Sequence, residues 1–302
     1  MSPDDPLVPE RQLGSTGERV SMLGLGGAHI AHFREDRDAI EFVRSAIDTG
    51  VTFMDNAWEY HEGRAEELMG RALEDGYRDR VFLMTKHHGR NRATAERHLE
   101  DSLRRLRTDV IDLWQFHEVI YNDDPDMIFA RGGGIEAAVA AQRAGKVRYI
   151  GFTGHKDPAI HRRMLDTGFA WDAVQMPLNV MDAHFRSFEQ TILPILEERG
   201  IAVLGMKPLA GGHILESDTV TAAEALSYVW SLPVSTVISG MDAMAHLTEN
   251  VETARAWTAM ERGARAELLS RTRDAASDGS YEPYKTDVVF DAAIGRELHG
   301  LS

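Results

Sequence analysis

The sequence predicts a single-domain α/β protein built as a (β/α)8 barrel, also called a TIM barrel, and three observations support this. Short apolar segments alternate with amphipathic segments eight times along the chain. No linker or change of composition divides the 302 residues, and a barrel of this kind needs about 250. The glycine run GLGG at residues 24–27 lacks the Gly-x-Gly-x-x-Gly spacing of an open dinucleotide-binding sheet.

The predicted strands are near-continuous apolar runs, as expected of parallel strands covered on both faces. They lie at residues 21–27, 52–57, 81–86, 110–117, 148–153, 173–179, 202–206 and 236–240. Between them, apolar residues recur at helical spacing. The predicted helices lie at residues 38–49, 64–73, 93–106, 135–144, 159–166, 188–198, 222–230 and 244–257. After about residue 278 we expect an irregular tail that carries aromatic residues.

The composition excludes several classes of function. The chain has no cysteine, which excludes disulfides, thiolate catalysis and cysteine-ligated metal sites. Its net charge of −15 would repel a polyanion, so we expect no nucleic-acid partner. No apolar run approaches the ~18 residues of a membrane-spanning helix, and the acidic N-terminus MSPDDPLVPE does not resemble a signal peptide. We therefore expect a cytoplasmic protein without a membrane partner.

Four polar residues accompany the ends of three consecutive predicted strands. Asp55 ends the second strand and Tyr60 lies five residues later, while Lys86 ends the third strand and His117 ends the fourth. Active sites of these barrels lie at the carboxyl ends of the strands. Neighbouring strands lie about 4.8 Å apart, so we predict that the four side chains meet at the mouth of the barrel. Alone, Asp55 and Lys86 would more simply form an inter-strand ion pair.

These residue types indicate acid catalysis. A free tyrosine has a pKa of about 10, and we expect the Lys86 ammonium to lower the pKa of Tyr60 toward the working range. Asp55 would keep Lys86 charged, and His117 would orient the substrate oxygen or share the proton. Such a group suits a carbonyl that becomes an alkoxide as a hydride arrives. Side chains cannot supply the hydride, so a nicotinamide cofactor is implied.

The substrate pocket and two rival functions follow from the same strand ends. We expect His29, Trp58, His88 and Glu118 to line the pocket, with a polar carbonyl such as a keto-sugar slightly favoured. A metal-dependent hydrolase is one rival, because several histidines could gather at the mouth: His61, His87, His88, His117 and His155. No strand pairs a histidine with a carboxylate at ligand spacing, so we predict no metal site. A cofactor-binding regulatory subunit with little turnover is the other rival.

Several segments, taken in order, resemble the aldo-keto reductase family from Arg11 to about Trp257. RQLGSTGERVSMLGLGG is similar to the family's opening hairpin and first strand, and FMDNAWEYHEGRAEELMGRAL to its signature. LMTK, IDLWQFH, GKVRYIGFTGH and GMKPLAGG are similar to its third, fourth, fifth and seventh strands. The resemblance implies a (β/α)8 barrel over residues 1–302, with a core at about 11–257 and a C-terminal helix and tail at 258–302. It also identifies Asp55, Tyr60, Lys86 and His117 as the catalytic residues.

The resemblance further implies that NADPH, with NAD as an alternative, lies extended across the mouth. The residues that would hold it are Gly26, Gly27, Thr153, Gly154, Gln175, Met206, Lys207, Leu209, Gly211, Gly240, Met241, His246, Glu249 and Asn250. Thr153 and Gly154 stand where many members have Ser-Asn, and Met206 stands where many have tyrosine. Asp242, near the start of the last helix, would oppose the 2′-phosphate of NADPH. Substrate identity, reaction direction and oligomeric state stay open.

Overall fold

Eight parallel strands close into a barrel in the computed structural model, which describes residues 7–291 and 293–301. Residues 1–6, 292 and 302 of the predicted domain lie outside the described residues. The strands are β1 (Glu10–Gln12), β2 (Arg19–Ser21), β3 (Leu23–Gly26), β4 (Phe53–Asp55), β5 (Phe82–His87), β6 (Ile111–Phe116), β7 (Val147–Thr153), β8 (Ala173–Pro177), β9 (Ala202–Met206) and β10 (Thr236–Ser239). Around the barrel the strand order is β10-β3-β4-β5-β6-β7-β8-β9. The predicted fold class and its eight barrel strands are confirmed.

Helices surround the barrel, and most of their predicted positions are confirmed. They are α1 (Asp36–Asp48), α2 (Arg64–Ala72), α3 (Arg92–Leu106), α4 (Asp124–Phe129), α5 (Gly134–Arg143), α6 (Pro158–Asp166), α7 (Phe188–Thr191), α8 (Leu193–Arg199), α9 (Ala222–Trp230), α10 (Met244–Ala256), α11 (Arg262–Thr272), α12 (Pro283–Thr286) and α13 (Ala293–Glu297). The prediction of one helix at residues 188–198 is wrong. The chain breaks at Ile192 into α7 and α8, because Pro194 lacks a backbone N–H and disfavours the helical conformation before it.

Alternation along the strands makes the inside of the barrel apolar at one end and polar at the other. Side chains two residues apart share a face of a strand. On the face that points into the barrel, Phe53 comes before Asp55 on β4, and Phe82 and Met84 come before Lys86 on β5. All five side chains are buried. The apolar end therefore supports the strands, and the polar end brings Asp55 and Lys86 to the mouth of the barrel.

An antiparallel hairpin of β1 and β2 contributes to the apolar end. Leu13 and Val20, both fully buried, pack into the same apolar cluster as Phe53 and Phe82. Gly14, in the turn, has a φ of +52°, and a Cβ there would lie 2.5 Å from the Ala202 nitrogen. This turn therefore requires glycine, and it keeps the hairpin in close contact with the start of β9.

The C-terminal tail returns to the polar end as short helical turns, which include α12, residues Val288–Phe290 and α13. The His155 ring contacts the Phe290 carbonyl at 3.1 Å, and the His299 ring contacts the His88 carbonyl at 2.9 Å. Arg296 pairs with Asp123 at 2.7 Å. The tail thus covers part of the barrel mouth. No helix within the described ranges has the length and apolar character needed to cross a membrane.

Candidate active site

Lys86 contacts two of the other three predicted catalytic residues, Asp55 and Tyr60. Its ammonium is buried and forms an ion pair with Asp55. It also donates hydrogen bonds to the Asn56 carbonyl at 2.8 Å and to the Tyr60 hydroxyl at 3.3 Å. The His117 ring lies edge-on to the Tyr60 ring, with centroids 5.7 Å apart. The structure therefore brings the four side chains together at the mouth.

The loop that carries Tyr60 has an unusual backbone. His61, Glu62 and Gly63 have φ angles of 51°, 57° and 92°, all in the left-handed region. A Cβ at Gly63 would lie 2.3 Å from the Arg105 guanidinium carbon. Non-glycine residues in this region cost roughly 1–3 kcal/mol each and persist where the surroundings enforce them. The strained turn holds the Tyr60 side chain over Lys86.

The predicted direction of the Tyr60 pKa shift is wrong. Burial first, and then the negative charges of Asp55, Glu59 and Glu118, raise the pKa of Tyr60 well above its usual range. The Lys86 ammonium does not reverse this shift, although it lies 3.3 Å from the Tyr60 hydroxyl. In this state Tyr60 keeps its proton, and its oxygen accepts the hydrogen bond from Lys86.

Glu59, which we did not predict, connects the histidines of the mouth. Its carboxylate lies 2.5 Å from His117 Nδ1 and 3.3 Å from His88 Nε2. Burial raises the pKa of Glu59, but the attraction of both histidines outweighs burial, so the pKa lies well below its usual range. Burial lowers the pKa of His117 despite Glu59. Glu59 and His117 therefore form a buried pair in which mutual attraction opposes the effect of burial. The position of Glu59 next to Tyr60 in the sequence is the signal that could have identified it.

Arg90 fixes the loop that carries His117 and was also not predicted. Its guanidinium donates to the carbonyls of His117 and Glu118 at 2.9 and 2.8 Å, and to Asp124 at 2.7 Å. Asp124 in turn accepts from the Ile120 nitrogen at 2.9 Å. Arg90 is almost fully buried. This network sets the backbone position of both mouth residues.

The predicted nicotinamide residues lie on the other side of Asp55. Gln175 donates through Nε2 to Asp55 Oδ2 at 2.7 Å, and its Oε1 is buried with no hydrogen-bond partner among the described residues. Thr153 Oγ1 lies 3.8 Å from the Met206 sulfur. A Cβ at Gly154 would lie 2.3 Å from the Val119 carbonyl oxygen. A side chain with a Cβ would therefore not fit at position 154 without a shift of the backbone.

Other predicted cofactor residues follow β9 and β3. Lys207 directly follows β9 with a φ of 55° and places its ammonium over the Tyr284 ring, 5.1 Å from the centroid. Leu209 precedes a left-handed turn at Gly211, beside which there is open space. Gly26 ends β3, and at Gly27 a Cβ would lie 2.6 Å from the Asp55 carbonyl oxygen.

The remaining predicted cofactor residues lie after β10 and along α10. Met241 is fully buried. Asn250 donates to Ser239 Oγ at 3.0 Å, which fixes α10 against the end of β10. The exposed His246 ring lies 2.7 Å from Asp242, one helical turn earlier. Glu249 is exposed on the same helix.

Only two of the four predicted substrate residues lie beside His117. They are His88 and Glu118, whose side chains lie 3.7 Å apart. His29 lies on the β3–β10 side, where a Cβ at Gly240 would be 2.3 Å from its ring. The Trp58 ring packs against α3, and its place in the substrate pocket stays a prediction.

The contacts of Trp58 explain this orientation. Its ring stacks on His98 with centroids 3.6 Å apart, and its Nε1 donates to Asp101 at 3.3 Å. The predicted histidine group is also divided. His87 stacks on Trp114, with centroids 3.8 Å apart, and His61 contacts the Ala28 carbonyl.

Comparison with known proteins identifies the family. A model of the aldo/keto reductase family matches residues 22–223, about two thirds of the chain. The chain is similar to aldo-keto reductase YhdN of Bacillus subtilis, with 31% identity over 211 residues that span 64% of this chain and 59% of YhdN. It is similar to the uncharacterized oxidoreductase YrpG of the same species, with 31% identity over 226 residues and 66% of each chain covered.

Solved structures share the fold over nearly their whole length. The holo form of aldo-keto reductase AKR11C1 from Bacillus halodurans superposes with a TM-score of 0.76 at 24% identity, covering 91% of this chain and 99% of that one. The putative aldo-keto reductase PA4992 of Pseudomonas aeruginosa gives a TM-score of 0.69 at 26% identity, covering 83% and 97%. The predicted resemblance is confirmed: this chain belongs to the aldo/keto reductase family.

Proposed function

We propose that this protein is a nicotinamide-dependent oxidoreductase that interconverts a carbonyl and an alcohol by hydride transfer, with Tyr60 as the general acid and base. One observation carries the proposal. The Lys86 ammonium contacts Asp55 and the Tyr60 hydroxyl together, at the mouth of the barrel beside His117. Aldehydes, ketones and keto-sugars are the candidate substrates.

The residues fit a nicotinamide cofactor. The buried Gln175 Oε1 is an acceptor without a partner in the described part of the chain, and the amide of a nicotinamide ring offers the matching N–H donors. A bound cofactor would supply the hydride. In this proposal Gln175 and Thr153 hold the ring, and Lys207, Leu209 and Gly211 hold the pyrophosphate. The adenosine end would contact the loop after β10, at Gly240 and Met241. It would also contact α10, at His246, Glu249 and Asn250.

The proton follows from the charges at the mouth. Tyr60 carries a proton in this state, because its pKa is raised, and that proton would pass to the carbonyl oxygen as negative charge develops there. Lys86 then stabilises the phenolate through the hydrogen bond that already joins them. Asp55 holds the Lys86 ammonium in place, and His117 orients the oxygen. A positioned acid of this kind accelerates a reaction by about 10²–10⁴-fold.

NADPH is the proposed coenzyme, with NADH as the alternative. Asp242 would repel a 2′-phosphate at the start of α10, but its carboxylate is paired with His246. The hydrogen bond to His246 lowers the pKa of Asp242, so the carboxylate stays charged at neutral pH.

The test is a parallel titration of wild type and Tyr60→Phe with NADPH and NADH, followed by tryptophan fluorescence and by turnover of a carbonyl panel. We expect both proteins to bind coenzyme, while Tyr60→Phe loses about 10²–10⁴-fold in kcat. The tighter coenzyme decides between NADPH and NADH. Undiminished turnover in Tyr60→Phe would contradict the role of Tyr60. Absence of binding would contradict the whole proposal, and binding without turnover in wild type would favour the regulatory alternative.

A further inference from the structure

Four side chains at the mouth form a group that the proposed hydride transfer does not require in full. They are Glu59, His88, His117 and Glu118, called here the Glu–His cluster. Each offers one nitrogen or oxygen, and these four atoms all lie within 4.8 Å of one another. Two histidines and two carboxylates at this separation are a combination that occurs in metal sites.

The cluster contains buried polar atoms without hydrogen-bond partners. His88 is fully buried, and neither of its ring nitrogens has an aligned partner among the described residues. The same holds for Glu59 Oε2 and His117 Nδ1. Each such atom costs about 1–3 kcal/mol when it stays unsatisfied. Their concentration at one place indicates that the cluster is built for a ligand.

The His88 ring presents one nitrogen to the cluster. On its other side, a Cβ at Gly295 of α13 would lie 3.0 Å from His88 Nδ1. His88 Nε2 lies 3.3 Å from Glu59 Oε2 and 3.7 Å from Glu118 Oε2. Ligands about 2.0–2.2 Å from a tetrahedral ion lie roughly 3.4 Å from one another. The two contacts of His88 therefore already match the edges of a coordination tetrahedron.

The charge of the cluster also favours a cation. Two carboxylates accept hydrogen bonds only, and each neutral imidazole has a single N–H to donate. The His117 contact with Glu59 brings the nitrogen and oxygen to 2.5 Å, yet no aligned hydrogen bond forms. A divalent ion would neutralise both carboxylates and satisfy both rings. Mixed imidazole and carboxylate ligands suit Zn²⁺ and its neighbours, whereas Mg²⁺ and Ca²⁺ prefer oxygen alone.

We propose that the Glu–His cluster is a binding site for one divalent transition-metal ion of the Zn²⁺ class. Binding there would engage His117 and place the ion next to Tyr60. Hydroxyl groups of a polar substrate are the alternative occupants of the same atoms. The consequence for turnover rests on the proposed function: a bound ion would occupy the position of the carbonyl oxygen and inhibit reduction.

The test uses metal binding itself, so that it does not depend on turnover. Chelator-treated full-length protein is titrated with Co²⁺, whose visible absorption reports a tetrahedral nitrogen–oxygen site, and Zn²⁺ is then added as a competitor. We expect one Co²⁺ per chain and displacement by Zn²⁺. His88→Gln and Glu118→Gln should each weaken binding by about 100-fold or more, since losing groups that merely orient ligands already costs about 10–100-fold.

His213→Gln is the matched control, because His213 is an exposed histidine 3.4 Å from Glu216. It should leave Co²⁺ binding unchanged. Circular dichroism checks that each variant is folded. Absence of saturable binding in wild type, or unchanged binding in both His88→Gln and Glu118→Gln, would overturn the metal proposal. That result would leave the proposal of coenzyme binding and turnover unaffected. Metal binding without coenzyme binding would instead refute the proposed reductase function.

Discussion

Two lysines are buried to the same degree in this molecule and have different surroundings. Lys86 lies at the end of β5 and Lys285 in α12, and each is at most 1% exposed. Each ammonium has three oxygen partners, one of which is a backbone carbonyl. The other two partners of Lys86 are Asp55 and the Tyr60 hydroxyl. Those of Lys285 are two carboxylates, at 2.6 and 2.9 Å.

The second carboxylate changes what the ammonium does. Lys285 connects Asp182, after β8, with Glu282 of the tail, and it leaves no hydrogen available for another group. Glu282 also accepts from Tyr284 and Asn179. At Lys86 one carboxylate balances one ammonium, and the remaining N–H reaches a hydroxyl that can ionise. We infer that Lys285 holds the tail in place and that Lys86 serves the reaction.

Lys86→Met should produce the largest effect, since it removes both a buried charge and the partner of Tyr60. We expect kcat for carbonyl reduction to fall by about 10²–10⁴-fold. Asp55 is left with Gln175 alone, so the free energy of unfolding should also fall, by roughly 3–5 kcal/mol. Steady-state kinetics and urea unfolding measure the two quantities. Retained coenzyme binding shows that the loss lies in the chemical step, and an unchanged kcat would contradict the comparison.

Lys285→Met is the matched variant at the other site. It leaves Asp182 and Glu282 buried without a counter-charge, so we expect the same loss of roughly 3–5 kcal/mol in the free energy of unfolding. No interaction with the reacting groups is removed, so kcat of the folded fraction should fall by less than about tenfold. Urea unfolding and active-site-normalised kinetics check this. A kcat loss equal to that of Lys86→Met would show that the two lysines do not differ as inferred.

The sequence predicts the barrel and the strand-end residues because both depend on local pattern. Apolar runs of strand length, glycine stops and helical spacing are visible without tertiary information, and the closed barrel confirms them. Asp55, Lys86 and His117 come together because consecutive parallel strands end at one side. Even the wrong helix at residues 188–198 had a local cause in Pro194.

Contacts between distant parts of the chain were not predictable in this way. Asp182 and Lys285 are 103 residues apart, and Gln175 and Asp55 are 120 apart. The direction of the Trp58 ring depends on its contact with α3. The pKa of Tyr60 depends on burial and on three carboxylates, Asp55, Glu59 and Glu118. Such effects arise from burial and from the sum of charges, which a periodic pattern does not contain.

The smallest predicted effect is a pH dependence at the Lys285 site. Burial first, and the charge of Glu282, outweigh the attraction of Lys285 and raise the pKa of Asp182 from 3.8 to about 6. A carboxyl with a higher pKa in the folded chain binds protons preferentially there. Its stabilising contribution is therefore complete below about pH 4 and is lost as the pH rises through about 6.

Urea unfolding of wild type and Asp182→Asn between about pH 4 and pH 7 measures this contribution. Relative to the variant, wild type should lose roughly 3 kcal/mol over that range, since one pKa unit corresponds to about 1.4 kcal/mol. Asp36→Asn is a control of opposite sign, because hydrogen bonds from Arg71 and Arg64 lower the pKa of Asp36. Parallel curves for wild type and Asp182→Asn would contradict the raised pKa of Asp182, and the contrast with Lys86 would then rest on Tyr60 alone.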